Sequence, residues 1–515
     1  MRMHSHGANY VGSVHWAAIL DSISELKDHY QEEEEARVLT TNDYLLPDIL
    51  ASIPARPVVD RMVGRHFNAQ GLTPRMYIPF DLNVYESFWK DPDTTSFTYI
   101  GLLFSIMCLS VQSNQLSEDP ADPEALMRVY LFRERTVQCL VLGQFTRGGA
   151  YVLETIINYC TSEVLLCKDA DIGLWLLLGM LVQLALSQGY HRDPRNFPKI
   201  SPFDGEMRRR VWAAVRQIDL RLSSQMGLPR LLQSQQYDTA DPRNLLDSDF
   251  DETTVEIPPS RSDTEVTPVL YVLAKNRIDS VGGLIGDLVA DTRKHPYSEI
   301  MDLDQKLQDA EASLPSIFRW QPLSQPFMVP PLIVLHRVWL QIAVQRLTIC
   351  LHRKYLAPPY TELRYKYSRN SCVQAAIKML EYQRLIDEET QPDGQLHSVR
   401  WVSSSLLQTT FLLGMSVLCY YVQLAKTTPD LSLGQETDTK IYDLLRDTYP
   451  MWLRSSIVSR DARDAVERLR RLLGLPNQQD SGKFAQEECI ANFTVAFDAD
   501  FLTLEAGGSS SGVFS

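Results

Sequence analysis

The chain has 515 residues, 44% of them hydrophobic and 22% charged, with a formal net charge of −14. That length and composition suit a soluble globular protein with a large core and more than one sub-bundle. The acidic balance argues against an extended duplex-binding surface, which needs a basic excess or a basic stripe.

Nearly every apolar segment has helical spacing, and few stretches alternate with period two. A first helix is predicted over 14–37, with Trp16, Ile19, Leu20, Ile23 and Leu26 on one face and Glu32 to Glu35 as its solvated end. Within 39–66, IPARPVVDRMVGRHF reads as a Pro-rich entry into a short amphipathic helix. Helices follow over 82–114 and 121–145, then an antiparallel pair over 148–168 and 171–188, capped by Gly189 in the left-handed conformation. Ser201-Pro202-Phe203-Asp204 starts the most legible helix: a Ser cap, Pro at the first helical position and an acid at the third. Met207, Val211, Val215, Ile218, Leu222 and Met226 form its buried stripe, and Gly227 and Pro229 end it. The acidic, Pro-containing stretch 251–265 reads as a linker or exposed loop, and helices resume over 266–291, 331–356, 371–387, 400–426 and 440–474. The expected fold is therefore all-α, a multi-helix bundle with mostly antiparallel helices and little or no β-sheet. Its divisions are an N-terminal helical segment (1–38), two helical halves (39–250 and 266–475) flanking the 251–265 stretch, and a tail (476–515).

No segment is expected to cross a membrane. The apolar run 172–186 is shorter than the roughly 20 residues a span needs, and 406–425 carries Gln408, Thr409, Thr410, Ser416 and Gln423. MRMHSHGANYVGS lacks the apolar region of a signal peptide, which leaves nucleus or cytoplasm. The eight cysteines (Cys108, Cys139, Cys160, Cys167, Cys350, Cys372, Cys419 and Cys489) are scattered singly. No C-x-x-C pair exists, so local spacing builds no zinc or redox motif, and free thiols in a reducing compartment are expected.

His191-Arg192-Asp193 spells the core of a kinase catalytic loop, but Pro198 stands where a metal-binding Asn is required, and the Gly-rich loop, strand lysine and D-F-G segment are missing. G-x-S-x-G at 508–512 lies in a Gly/Ser tail, not on a strand-to-helix turn. Gly282-Gly283-x-x-Gly286 lies inside a helical pattern with no preceding strand, which excludes a dinucleotide loop. His4 and His6 fall at a terminus, and no catalytic constellation emerges. The triplet instead reads as a structural clasp. Arg208, Trp212, Asp219 and Ser223 edge the buried stripe of the following helix, and buried charges need partners. Arg192 is expected to pair with Asp219, and Asp193 with an arginine of that helix. Arg208, Arg209 and Arg210 point about 100° apart, so they cannot form one phosphate-binding patch.

The stretch 179–251 resembles the fungal-specific transcription factor domain, the middle homology region of zinc binuclear cluster regulators. The matching residues are GMLVQLALSQGYHRDP, EMRRRVWAAVRQIDLRLSSQMGLPR and YDTADPRNLLDSDFD. They carry Gly189, His191, Arg192, Asp193, Pro194, Glu206, Arg208 to Arg210, Trp212, Asp219, Ser223, Gly227, Pro229, Arg230, Asp238, Pro242, Asn244 and Asp247. The resemblance covers 75–330 well and roughly 10–475 in weak form. It departs from the family in lacking the six-cysteine zinc cluster and its basic residues. The resemblance implies a nuclear transcriptional regulator of metabolic or secondary-metabolite genes, controlled by a small-molecule effector or by intramolecular inhibition. DNA contact is then indirect or made by a module upstream, with zinc only there and no cofactor in this chain. Homo- or heterodimers with related regulators and a coactivator are the expected partners. In the tail, Phe493, Phe497, Phe501, Leu502 and Leu504 interleave with Asp498 and Asp500, a candidate activation segment or a helix docking back on the bundle. Two other readings stand beside this one: a non-DNA-binding partner or antagonist of full-length relatives, and a metabolite-binding helical protein without catalysis.

Overall fold

The computed structural model describes residues 46–475 apart from 69–81, 116–121, 168, 170, 322–328, 358–359, 361, 401–406 and 429–431. It also describes an antiparallel hairpin in which Arg2–His4 pairs with Gly7–Asn9. The helix expected over 14–37 and the tail from 476 onward, with its candidate activation residues, lie outside the described residues.

The fold is all-α, as the periodicity predicts. The first half is built around α4 (Phe97–Gln115), which is apolar on all sides and therefore buried on all sides, with Ile100, Phe104 and Met107 inaccessible to solvent. Around it pack α2 (Arg56–Asn68), α5 (Pro123–Leu142) and α6 (Val152–Leu166), with the short α1 (Leu46–Ala51) and α3 (Leu82–Lys90) at the edge. α7 (Ile172–Ser187) lies against α6, and α8 (Pro202–Met226) against α7. α9 (Pro268–Ala290) then carries the chain to the second half, where α10 (Tyr297–Ala312) and α11 (Pro331–His352) complete a middle core. The last core gathers α11, α12 (Lys366–Glu389), α13 (Gln408–Thr427), α14 (Gln435–Ser455) and α15 (Arg460–Leu473). α4 and α11 are long and apolar enough to cross a membrane, but 83% and 72% of those stretches are buried inside the bundle.

Two of the expected helices are broken in the structure, and one helix was not expected. The helix expected over 82–114 breaks at Asp91-Pro92, where proline disfavours helical backbone in the residue before it. The helix expected over 440–474 is two, because Ser459 caps a new start by accepting the Ala462 N–H at 3.0 Å. α10 was not anticipated: Ile300, Leu303 and Leu307 are buried, but the acidic and amide residues between them hide the stripe.

The glycine run of α9 has a packing cause. A Cβ on Gly282 would stand 3.2 Å from Leu347 of α11 and 3.3 Å from Leu220 of α8, so this glycine sets the approach of three helices. At Gly283 a Cβ would meet the Arg230 guanidinium at 2.9 Å, whereas at Gly286 it would meet nothing within 4 Å. Gly282→Val is therefore expected to overpack the crossing and cost about 1–3 kcal/mol. Gly286→Ala, at an unhindered helical position, is expected to add about 0.5–1 kcal/mol. Urea unfolding of the purified chain checks both.

Candidate functional site

α7 ends one residue before Gln188, and Gly189 turns the chain with φ +74° so that the Tyr190 N–H donates to Ala185 O at 3.0 Å. The loop that follows places Asp193, 2% exposed, over the N-terminal half of α8. Its carboxylate accepts from Arg209 Nη2 at 3.0 Å and Nε at 3.2 Å, from Arg195 Nε at 2.9 Å, and from the Ala240 N–H at 3.0 Å. Burial alone would push the Asp193 carboxyl up, but these donors outweigh it and hold it well below the usual carboxylate range.

The expected pair between Asp193 and an arginine of the next helix is thus present, with Arg209. The expected Arg192–Asp219 pair is not. Arg192 Nε donates to Asp238 Oδ1 at 3.1 Å, and the same carboxylate accepts the Asp193 N–H at 2.8 Å and Asn196 Nδ2 at 3.1 Å. Asp219 lies ten residues beyond Arg209 on α8, about 15 Å along the axis. There it accepts the N–H groups of Leu231 at 3.0 Å and Leu232 at 2.9 Å, and the Ser223 hydroxyl at 3.2 Å. Backbone donors, not an arginine, satisfy it, and burial raises its carboxyl above the ordinary range.

Arg208, Arg209 and Arg210 diverge as their spacing requires. Arg208 Nη2 donates to Gln188 O at 2.5 Å, and its guanidinium lies 4.0 Å from the Tyr190 ring centre. Arg210, 1% exposed, donates to Asp247 at 3.0 Å and lies over the Phe250 ring. Glu206 is fully buried between Arg209 and Arg210, 3.7 Å from each, and accepts the Arg243 N–H at 2.9 Å. Trp212, also fully buried, meets Tyr237 edge-on at 5.6 Å. Beyond the Gly227 cap, whose φ is +67°, and the exposed Pro229, Arg230 forks onto Asp287 of α9 at 2.6 and 2.7 Å. Asn244 holds the 251–265 stretch: its Nδ2 donates to Ser262 O at 3.0 Å and Glu265 O at 3.1 Å, and its Oδ1 accepts from Thr267 at 2.6 Å.

Sequence reasoning named most of these residues but, apart from Asp193 with an arginine of α8, not their pairings, and it missed Arg243, Asp287 and Glu154. Glu154 of α6 is buried near Arg208 and Tyr190; burial pushes its carboxyl up to about 7, opposed by a backbone hydrogen bond and by Arg208. It also missed a cavity of about 400 Å³ at the far end of α8, lined by residues of α8, α9, α11 and α13. The clasp carboxylates and guanidiniums are engaged with one another and with backbone groups. Together they fix the 228–250 segment to α8.

That ordered segment coincides with a known family. Residues 155–285 match the fungal specific transcription factor domain. The chain is 50% identical over 492 residues to transcription factor cghF of Chaetomium globosum, covering 92% of this chain and 88% of that protein. It belongs to the fungal transcription factors that carry this domain. The equisetin cluster transcription factor eqxF of Fusarium heterosporum is 44% identical over 92% of this chain and 72% of its own length. The Zn(2)-C6 fungal-type transcription factor pigI of Monascus ruber is 38% identical over 96% of this chain and 64% of its own. The domain's function is transcriptional regulation.

A zinc cluster does not fit the described residues. Among the described residues no three His, Cys, Asp or Glu side chains gather as a metal site, and the seven described cysteines are free and dispersed.

Asp193→Asn is expected to cost up to about 3–5 kcal/mol, since it removes the closest charge partner of the buried Arg209 and leaves it only Glu206, 3.7 Å away. Arg192→Ala, at an exposed pair, is expected to cost at most about 1 kcal/mol. Denaturant unfolding near pH 7 separates them. Glu154 has the opposite sign to Asp193. Its folded value is raised above its unfolded one, so stability falls as pH rises from about 4.5 to about 7. Glu154→Gln is expected to remove that slope and to exceed wild type by about 1–3 kcal/mol at pH 8 while matching it at pH 4.

Proposed function

We propose that the chain is the regulatory domain of a transcription factor dedicated to a secondary-metabolite gene cluster, working in the nucleus and without catalysis. The observation that carries this is similarity over 92% of the chain to the factor named for the equisetin cluster. The clasp supports it: family-signature residues spend their charges on holding one segment in place, which is the economy of a rigid regulatory scaffold. DNA contact falls to a zinc cluster outside these 515 residues or to a related regulator bound as a dimer partner, because a net charge of −14 does not favour duplex binding by this chain. Coactivator contact falls to the acidic-hydrophobic residues Phe493 to Leu504.

Scattered single cysteines favour a second reading, in which the chain partners or antagonises full-length relatives. A reporter assay separates the two. Fused to a heterologous DNA-binding domain, the chain is expected to raise reporter transcription above that domain alone, and removal of 476–515 is expected to abolish the gain. A fusion without effect, combined with lowered output from a co-expressed full-length relative, identifies an antagonist instead.

A further inference from the structure

α7 carries no charged residue from Ile172 to Ser187, yet one of its faces is open. Ile172, Leu176 and Met180, at steps of four, are each 44% exposed or more. Gly179 lies on that face, and a Cβ there would meet nothing within 4 Å. A glycine at an open helical position weakens the helix; here it leaves a notch beside Leu176 and Met180. The start of α15 is fastened to the same corner. Asp169, three residues before α7, accepts the Ser459 hydroxyl at 2.5 Å and the N–H groups of Arg460 at 3.0 Å and Asp461 at 3.2 Å. The turn before Ser459 therefore stands by the start of α7, and its Ile457 and Val458 are both more than half exposed. α15 leads away from there with five arginines against three acids. Arg460 lies near Asp169, while the exposed Arg463 makes no ion pair among the described residues. Exposed apolar residues grouped beside charge mark an interaction surface.

The chain itself supplies a segment of matching period and opposite charge. Phe493, Phe497, Phe501 and Leu504 recur at steps of four, four and three, with Asp498, Asp500 and Glu505 between and beside them. On a helix those apolar residues form one stripe. Residues 476–515 carry six acids and one lysine. The 17 residues from 476 to 492 reach up to about 55 Å. The return they must make from Leu475 to the start of α15 is the length of that helix, 14 residues or about 21 Å. A second copy is the poorer occupant, since its α7 presents no charge to the arginines.

We propose that this surface docks the chain's own residues 493–505 as a helix, with Phe493, Phe497 and Phe501 over Ile172, Leu176 and Met180 and the acids toward Arg460 and Arg463. Ridges of residues four apart on both helices interlock, and the Gly179 notch takes a phenyl ring. Under the function proposed above, the docked face is also the face that meets a coactivator, so the two contacts exclude each other. The docking itself does not depend on that function.

Photo-crosslinking in the purified 515-residue chain tests this, with p-benzoylphenylalanine in place of Phe497 and the joined peptides read by mass spectrometry. The crosslinks are expected to fall within 172–183 or 457–463. In a mixture of isotopically light and heavy chains, joined light–heavy products are expected to be at least about tenfold rarer than those within one molecule. Leu176→Asp and Gly179→Glu are each expected to lower the yield at least about tenfold. Gly179→Glu places a helix former at an open position, so its unfolding midpoint is expected to hold or rise, which keeps the test valid if the Leu176 variant misfolds. The same probe at Phe514 is expected to leave α7 unmarked. The proposal is overturned by absent crosslinks, by crosslinks elsewhere in the bundle, by equal marking of α7 from Phe514, or by a yield that Gly179→Glu leaves unchanged. Products mainly between molecules overturn it too and assign the surface to a second copy. None of these readouts involves DNA, a reporter or a coactivator, so they fail or succeed separately from the regulatory reading.

Discussion

A buried charge must be matched, and α8 buries several. Glu206, Arg209, Arg210 and Asp219 all lie within a helix whose other face is core. Water cannot solvate them, so other chain segments must supply their partners. The 190–194 loop and the 228–250 segment take their paths from that requirement. Asp193 meets Arg209, the Arg243 N–H meets Glu206, Asp247 meets Arg210, and the Leu231 and Leu232 N–H groups meet Asp219. An otherwise irregular stretch of more than twenty residues is thereby fixed against one helix with little secondary structure of its own.

From that anchored segment the rest of the architecture follows. Arg230 reaches across to Asp287 and ties α8 to α9, and Gly283 makes room for its guanidinium. Gly282 lets Leu220 and Leu347 meet over α9, so three helices from both halves share one crossing. Below that crossing the glycines leave a cavity instead of a packed core. Close approach above and open space below are two consequences of one absent side chain, repeated at 282 and 286.

This arrangement suits a regulator. A rigid charged clasp at one end of α8 and a cavity at the other place a fixed signature and an adaptable space on a single 25-residue helix. Anything that changes the contacts between α8, α9, α11 and α13 bears on how the two halves sit together. Control of activity by such a change requires differential contact in two states, and the cavity is where contact can be gained or lost.

Much of this was legible in the residues. Helical period, the Ser201-Pro202 start, the Gly189 and Gly227 stops and the burial of Asp219 follow from local spacing and chain stereochemistry, and the ordered run from Gly189 to Asp247 carries the family. α10 was not legible, because three apolar residues among acids and amides make too faint a stripe, and neither were the breaks inside 82–114 and 440–474. The partner of Arg192 was also beyond reach. Several carboxylates lay within plausible range in sequence, and only the path of the chain puts Asp238 beside Arg192 and turns Asp219 toward backbone N–H groups. The glycines of α9 could be excluded as a nucleotide loop from sequence, but not explained. Sequence by itself determined most of the helices and which of their residues are buried and in need of partners, because those follow from side-chain chemistry at fixed spacing. Tertiary structure alone decided which partners they took and where a cavity remained, because both depend on segments dozens of residues apart meeting in space.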